Sequence, residues 1–405
     1  MLPCTHSRRS SGLISFVLVA VIFFVLWKQP GPDTVKSISN FSPSSLAPSK
    51  LLESIGAGKK QPGGTENATL GFEAIFAVSP WASWRSDGLV FAANRTNLTI
   101  AIPPQVPPSQ PEVNAFMANS LSGTLNEGSA RAWLGHLQVL HAARNGNYSS
   151  VLILEDDADW DVEIHDQAKM VASAVRNLST PANATAAPGW PWGNHWDILW
   201  LGHCGERLPF PEEIDEPELP TATPGAGATD EEEDDLYSGR IHSAWEIPKR
   251  RKLVGAKRKH DPFTDDYVLL NDSTLPAFVT SYDQRLSNTP NTRWVQYAAG
   301  PICTFAYAVN ARSIARILDE FKMGAEQAWD MWMHTRCRAH ELRCFSVNPE
   351  LFHHHVPAAS QDLQHSLVNV NLQGEGTHNY TANIRYSARC NWDKSDDELI
   401  SCMEA

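Results

Sequence analysis

Residues Val151 to Asp161 read Val-Leu-Ile-Leu-Glu-Asp-Asp-Ala-Asp-Trp-Asp. Four successive aliphatic residues predict a short buried strand, and Glu155, Asp156 and Asp157 stand together at its carboxyl end, followed by Asp159 and Asp161. Adjacent carboxylates repel one another, and the C-terminal edge of an apolar strand is where open α/β sheets bind their ligands. A hard divalent cation carrying a phosphate-containing substrate would relieve that repulsion. Two plainer readings compete. A solvated turn is weakened because no Gly, Pro or Asn separates strand from acids. An EF-hand loop would use Asp157, Asp159 and Asp161 as alternating ligands, but Val162 stands where its turn needs Gly and Ala168 where its twelfth position needs Glu.

The rest of the chain sets the context for that edge. With 405 residues and 42% hydrophobic content there is material for one large core or two small ones, and a net charge of -13 argues against a nucleic-acid partner. Gly12 to Trp27 carries no charge, with Arg8 and Arg9 before it and Lys28 after it. At about 1.5 Å per residue it suits a thin membrane of the early secretory pathway. The Lys-Gln-Pro-Gly-Pro that follows lacks a small-residue cleavage site, which favours an uncleaved signal anchor over a cleaved signal peptide. The expected plan is a cytosolic tail (1–11), a transmembrane anchor (12–27), a flexible stem (28–70), a folded domain (71–390) and a C-terminal tail (391–405). Such a chain is a single-pass type II membrane protein of the Golgi or endoplasmic reticulum with its body in the lumen. Nine Asn-x-Ser/Thr sequons, from Asn40 to Asn379, agree with a luminal body. Of seven cysteines, Cys4 falls on the cytosolic side, and Cys204, Cys303, Cys337, Cys344, Cys390 and Cys402 meet an oxidising compartment in a connectivity left open by spacing.

Hydrophobic periodicity divides the domain into alternating elements. Strands are expected at Phe72 to Val78, Asn97 to Ile102, Val151 to Leu154, Asp197 to Gly202, Thr304 to Val309 and from Phe345 towards Phe352. Helices are expected at Ser129 to Arg144, Val162 to Leu178, Ala311 to Phe321 and Trp329 to His340. The segment with Trp81, Trp84, Arg85 and Asp87 reads as a loop, and 211–262, with its acidic and basic runs, as a surface insertion. His136, beside an apolar helix stripe, reads as a hydrogen-bonded structural histidine. The alternation predicts one α/β domain with a Rossmann-like mixed sheet.

Four segments in this order resemble glycosyltransferase family 25, and its fungal membrane-anchored members most closely. They are Trp133, Gly135 and His136; Leu152 to Asp161; Trp196 to Gly205; and Gly300 to Leu318 with Asp330 beyond it. The resemblance implies a GT-A fold and an inverting enzyme that moves a hexose, commonly galactose, from a UDP-sugar with Mn²⁺ to a hydroxyl of a protein or glycan acceptor. By the same resemblance Glu155 opens the family's acidic run, and Asp156 with Asp157 forms its metal-diphosphate element. Arg85 and Asp87 match an Arg-x-Asp-Arg segment near the nucleotide, although Gly88 replaces its last arginine. The chemistry agrees. A metal on Asp157 would neutralise the departing diphosphate, and an inverting displacement needs a base for the acceptor hydroxyl. The resemblance implies Asp330 as that base and His355 or His353 as the second metal ligand. The alternatives are a non-catalytic luminal glycan-binding relative of the same fold and a Ca²⁺-binding structural protein.

Overall fold

The computed structural model describes residues 63–120, 125–181, 189–208, 267–281, 283–321, 325, 327–357 and 379–402. The anchor expected at 12–27 and the whole of the 211–262 insertion lie outside these residues, as does the stem up to residue 62. Among the described residues no helix is long and apolar enough to cross a membrane.

The chain is α/β, built on a mixed eight-stranded sheet. In chain order the strands are β1 (Ala74–Val78), β2 (Ile100–Ala101), β3 (Ser150–Glu155), β4 (Ala158–Trp160), β5 (Ile198–Gly202), β6 (Tyr267–Asn271), β7 (Thr292–Tyr297), β8 (Ala306–Asn310), β9 (Cys344–Asn348), β10 (Phe352–Val356) and β11 (Tyr380–Thr381). The large sheet runs β2-β1-β3-β8-β5-β9-β7-β6, and β11-β10-β4 forms a small second sheet. Strands β2, β1 and β3 are parallel, as are β5 and β9. Strand β8 lies antiparallel between β3 and β5. The helices are α1 (Trp84–Arg95), α2 (Gln110–Ala118), α3 (Glu127–Asn145), α4 (Ile164–Ser179), α5 (Gln284–Asn288), α6 (Ala311–Glu320) and α7 (Trp329–Arg338).

Both faces of the sheet are covered, and the period of two in β3 shows how. Leu152 and Leu154 join one core with Leu89 and Ala92 of α1 and Val171 and Val175 of α4. Val151 and Ile153 join the other with Val113 of α2, Leu137 and Leu140 of α3, Ile314 and Ile317 of α6 and Met333 of α7. A strand buried on both sides reads as an unbroken aliphatic run, which is why Val151 to Leu154 was the clearest strand in the sequence.

Three sequence expectations need correction. The segment from Trp84 is the helix α1 and not a loop, started by Ser83: its hydroxyl accepts from the Arg85 N–H at 3.3 Å, and its own N–H donates to Ser86 Oγ at 3.0 Å. Helix α2, for which no helix was expected, carries Pro111 in its first turn, a position that tolerates a missing N–H. The residues from 391 onward are not a free tail. Cys390 and Cys402 are bonded to each other, Asn391 is buried, and the Thr381 N–H donates to the Cys402 carbonyl at 3.0 Å. The other four domain cysteines pair as Cys204 with Cys303 and Cys337 with Cys344. At the other end the folded body begins before Gly71, since Leu70 is buried in the core and Asn67 Oδ1 accepts from the N–H groups of Thr69 and Gly71.

Candidate functional site

Parallel pairing sets Val78, the last residue of β1, beside Glu155, the last of β3. Because β8 runs the other way, its approach through Cys303, Thr304 and Phe305 reaches the same edge, with the Glu155 N–H donating to the Phe305 carbonyl at 3.0 Å. Asp156 and Asp157 occupy the tight turn between β3 and β4. Helix α1 starts close by and brings Arg85 across both: Nε meets Asp156 Oδ1 at 2.6 Å and Nη2 meets Asp157 Oδ2 at 2.8 Å. Ser79, just past β1, donates to the second Asp156 oxygen at 3.1 Å.

The three acids titrate differently because their neighbours differ. Burial first, and the charge of Asp157 second, push Glu155 up to about 8, although 30% of its side chain still reaches solvent. Burial also pushes Asp157 upward, but the charge of Arg85, aided by that of Arg389, holds it below its ordinary value. Asp156 is raised, burial outweighing the opposing pull of Arg85. At neutral pH a proton therefore resides on Glu155, whose Oε1 accepts from Thr304 Oγ1 at 2.7 Å, while Asp157 is ionised.

Asp157 has one committed oxygen and one open one. Oδ2 meets Arg85, whereas Oδ1 is buried with no hydrogen-bond partner among the described residues. The same holds for His354 Nδ1, on the residue of β10 that pairs with Ala158 next to Asp157. Burial, with His353 second, lowers His354 to about 4, so its ring is neutral and able to ligate. Two orphaned buried polar atoms of this kind suit a metal ion that takes one carboxylate and one imidazole from the protein and its remaining ligands from a diphosphate. Among the described residues no group of three or more His, Cys, Asp or Glu side chains is arranged to hold a metal by itself.

His355, the expected second metal ligand, has its Nδ1 engaged with other side chains. The three histidines lie on β10, where neighbouring side chains point to opposite faces. His355 pairs its backbone N–H with the Asp157 carbonyl at 2.8 Å, and its Nδ1 is held by Thr381 Oγ1 at 2.9 Å, 3.5 Å from Asp159 Oδ2. His353 is 3.5 Å from Glu350. Asp159 and Asp161, the remaining acids of the cluster, are buried structural acids. Asp159 lies in β4 and accepts from Thr381 Oγ1 at 2.6 Å, from Ser387 Oγ and from the Arg389 N–H at 3.1 Å. Asp161 accepts from the Tyr386 N–H at 2.8 Å and the Glu163 N–H at 3.0 Å.

Asp330, in the first turn of α7, accepts from the Cys303 N–H at 3.0 Å, and the next residue, Thr304, is the one bonded to Glu155. Asp330 thus stands at the acidic edge with an oriented carboxylate. Asp87 does not join it. It lies two residues beyond Arg85 on a helix, where such neighbours diverge, and it is exposed. His136 is buried, with Nδ1 2.9 Å from the Tyr307 hydroxyl and its ring stacked on Trp329, and burial lowers it to about 3. It is a structural histidine, as its place beside the stripe implied.

No protein-family model matches the chain, and no curated protein matches it closely enough to count as a relative. Sequence reasoning missed Arg389, Thr304 and His354. Strand alternation alone was a usable signal for His354, since a three-histidine run in a strand splits two against one. Nothing local marks Arg389.

Proposed function

We propose that the chain is a GT-A type, inverting glycosyltransferase of the kind its sequence resembles, moving a hexose from a UDP-sugar to a hydroxyl of a protein or glycan acceptor. One observation carries the reading: Asp157 keeps an ionised, buried and unpartnered oxygen at the carboxyl end of the central strand, and the Nδ1 of His354, on the residue that pairs with neighbouring Ala158, is unpartnered too. The antiparallel β8 set between two parallel strand groups agrees with a GT-A sheet.

Asp157 and His354 would hold Mn²⁺, which when bound neutralises charge on the leaving diphosphate. Arg85 fixes Asp156 and Asp157 relative to each other, so the open Asp157 oxygen is aimed before any ligand arrives. Glu155 accepts from the Thr304 hydroxyl at the same edge. Asp330, oriented by the Cys303 N–H, takes the proton of the acceptor hydroxyl. The anchor, a luminal body in the Golgi or endoplasmic reticulum, and galactose as the hexose belong to the same proposal. Closure of all six domain cysteines as disulfides supports an oxidising compartment.

Nucleotide release by the full-length chain from a set of UDP- and GDP-sugars, with and without Mn²⁺, tests this. Release from one UDP-sugar that needs Mn²⁺, and that Asp157→Ala and Asp330→Asn each reduce at least 100-fold, is expected. Mn²⁺-independent release, or an Asp157→Ala protein as active as the wild type, refutes it.

A further inference from the structure

Gly88 sits in the interior of α1, one turn from Arg85, where glycine weakens a helix. A Cβ placed there would collide with Nη1 of Arg389 and lie 3.2 Å from its Cζ. That guanidinium is not free to step aside. It is buried, Nη2 donates to the Asp156 carbonyl at 2.6 Å, Nε donates to the Ala158 carbonyl at 2.9 Å, and its backbone N–H is held by Asp159. The two carbonyls belong to the turn that carries the acidic site. They lie on either side of Asp157, whose carboxylate feels the Arg389 charge.

We infer that Arg389 is a positioning residue of the site: it clamps the Asp156 to Ala158 turn from beneath and supplies a second cation beside Arg85, and Gly88 is glycine because that guanidinium passes over it. Arg85 grips the turn by its carboxylates and Arg389 by its carbonyls, so the open oxygen of Asp157 is fixed from two sides. The Cys390 to Cys402 disulfide, which begins at the next residue, holds that segment in place. The inference rests on the metal and nucleotide reading of the site.

Gly88→Ala tests it with a sign. Alanine is the better helix former, so if the space above residue 88 is unimportant the substitution raises the melting temperature of the metal-free protein. If Arg389 is locked there, the added methyl displaces the guanidinium and the melting temperature falls. Calorimetric titration of UDP in the presence of Mn²⁺ is the second readout, made on full-length variants whose near-ultraviolet circular dichroism matches the wild type. Gly88→Ala and Arg389→Gln are each expected to weaken binding about 10- to 100-fold, the usual range when a group supporting a metal ligand is lost. Arg389→Lys, which keeps the charge and one donor, falls between Arg389→Gln and the wild type. Should Arg389→Gln fail to fold, Gly88→Ala decides. An unchanged affinity, or a raised melting temperature for Gly88→Ala, overturns the inference. A wild-type protein that ignores UDP and Mn²⁺ overturns the site reading and this inference with it.

Discussion

Glu155 and Asp157 lie two residues apart on one crowded edge, yet in the metal-free protein one is raised and the other lowered: burial and the Asp157 charge outweigh the pull of Arg85 on Glu155, whereas Arg85 pairs directly with Asp157. The raised Glu155 has a consequence for stability. A carboxyl whose folded value exceeds its unfolded value stabilises the fold fully below the unfolded value, 4.5, and loses that contribution as pH rises through about 8. Glu155→Gln keeps an acceptor for Thr304 and removes the titration. In the metal-free protein its melting temperature, relative to the wild type, should therefore climb between pH 5 and pH 8; a flat difference would contradict the assignment. Asp159 is the opposite case, an acid whose value lies in structure. Asp159→Ala removes the acceptor shared by the buried Thr381 and Ser387 hydroxyls and the Arg389 N–H and is expected to cost about 3 kcal/mol, read by denaturant unfolding. In the sequence these acids look alike. Asp156 and Asp157 could be singled out because they follow directly on a strand edge, where ligand sites form. The role of Asp159 was not legible, since its partners stand 222 to 230 residues away and no local pattern announces them.

Elements with a strong period were legible from sequence. Helices α3, α4, α6 and α7 and strands β3, β5 and β8 follow the hydrophobic repeat, and their ends fall within a few residues of the expected positions. Helix α1 was hidden for identifiable reasons. Its first turn reads Trp-Arg-Ser-Asp, Gly88 interrupts it, and its buried face is made of Ser86, Leu89, Ala92 and Ala93, small residues that give little amphipathic contrast. The glycine that disguised the helix is the one that makes room for Arg389. Since α1 delivers Arg85 from its first turn, its cap bears on the site as well as on stability. Ser83→Ala should cost about 1 kcal/mol in chemical denaturation, as loss of an N-cap does. It should also weaken UDP binding with Mn²⁺, because the turn that fixes Arg85 frays first. Binding equal to wild type at the reduced stability would separate the cap from the site.

Across the whole molecule the acidic edge draws on distant parts of the chain. The strand end comes from residues near 155, the covering arginine from 85, the imidazole from 354, the candidate base from 330, and the underlying clamp from 389. Alternation of strands and helices made the α/β class and the mixed sheet legible, but the path of residues 379–402 back under β4 was not, because it depends on buried polar contacts and not on a hydrophobic period. Disulfide pairing was equally closed to spacing alone. The Cys390 to Cys402 bond closes a short loop, and Cys390→Ser with Cys402→Ser is expected to lower stability by about 3 kcal/mol on loop entropy. The variant should lose affinity for UDP with Mn²⁺ as Arg389 loosens. The central claim, that Asp157 presents an open oxygen to a metal-bound diphosphate, is tested most directly by calorimetric titration of UDP into the full-length protein with and without Mn²⁺, in parallel for Asp157→Ala. Binding that requires Mn²⁺ and vanishes in the folded variant is expected; binding of UDP that neither Mn²⁺ nor the substitution alters, or no binding by the wild type, would contradict it.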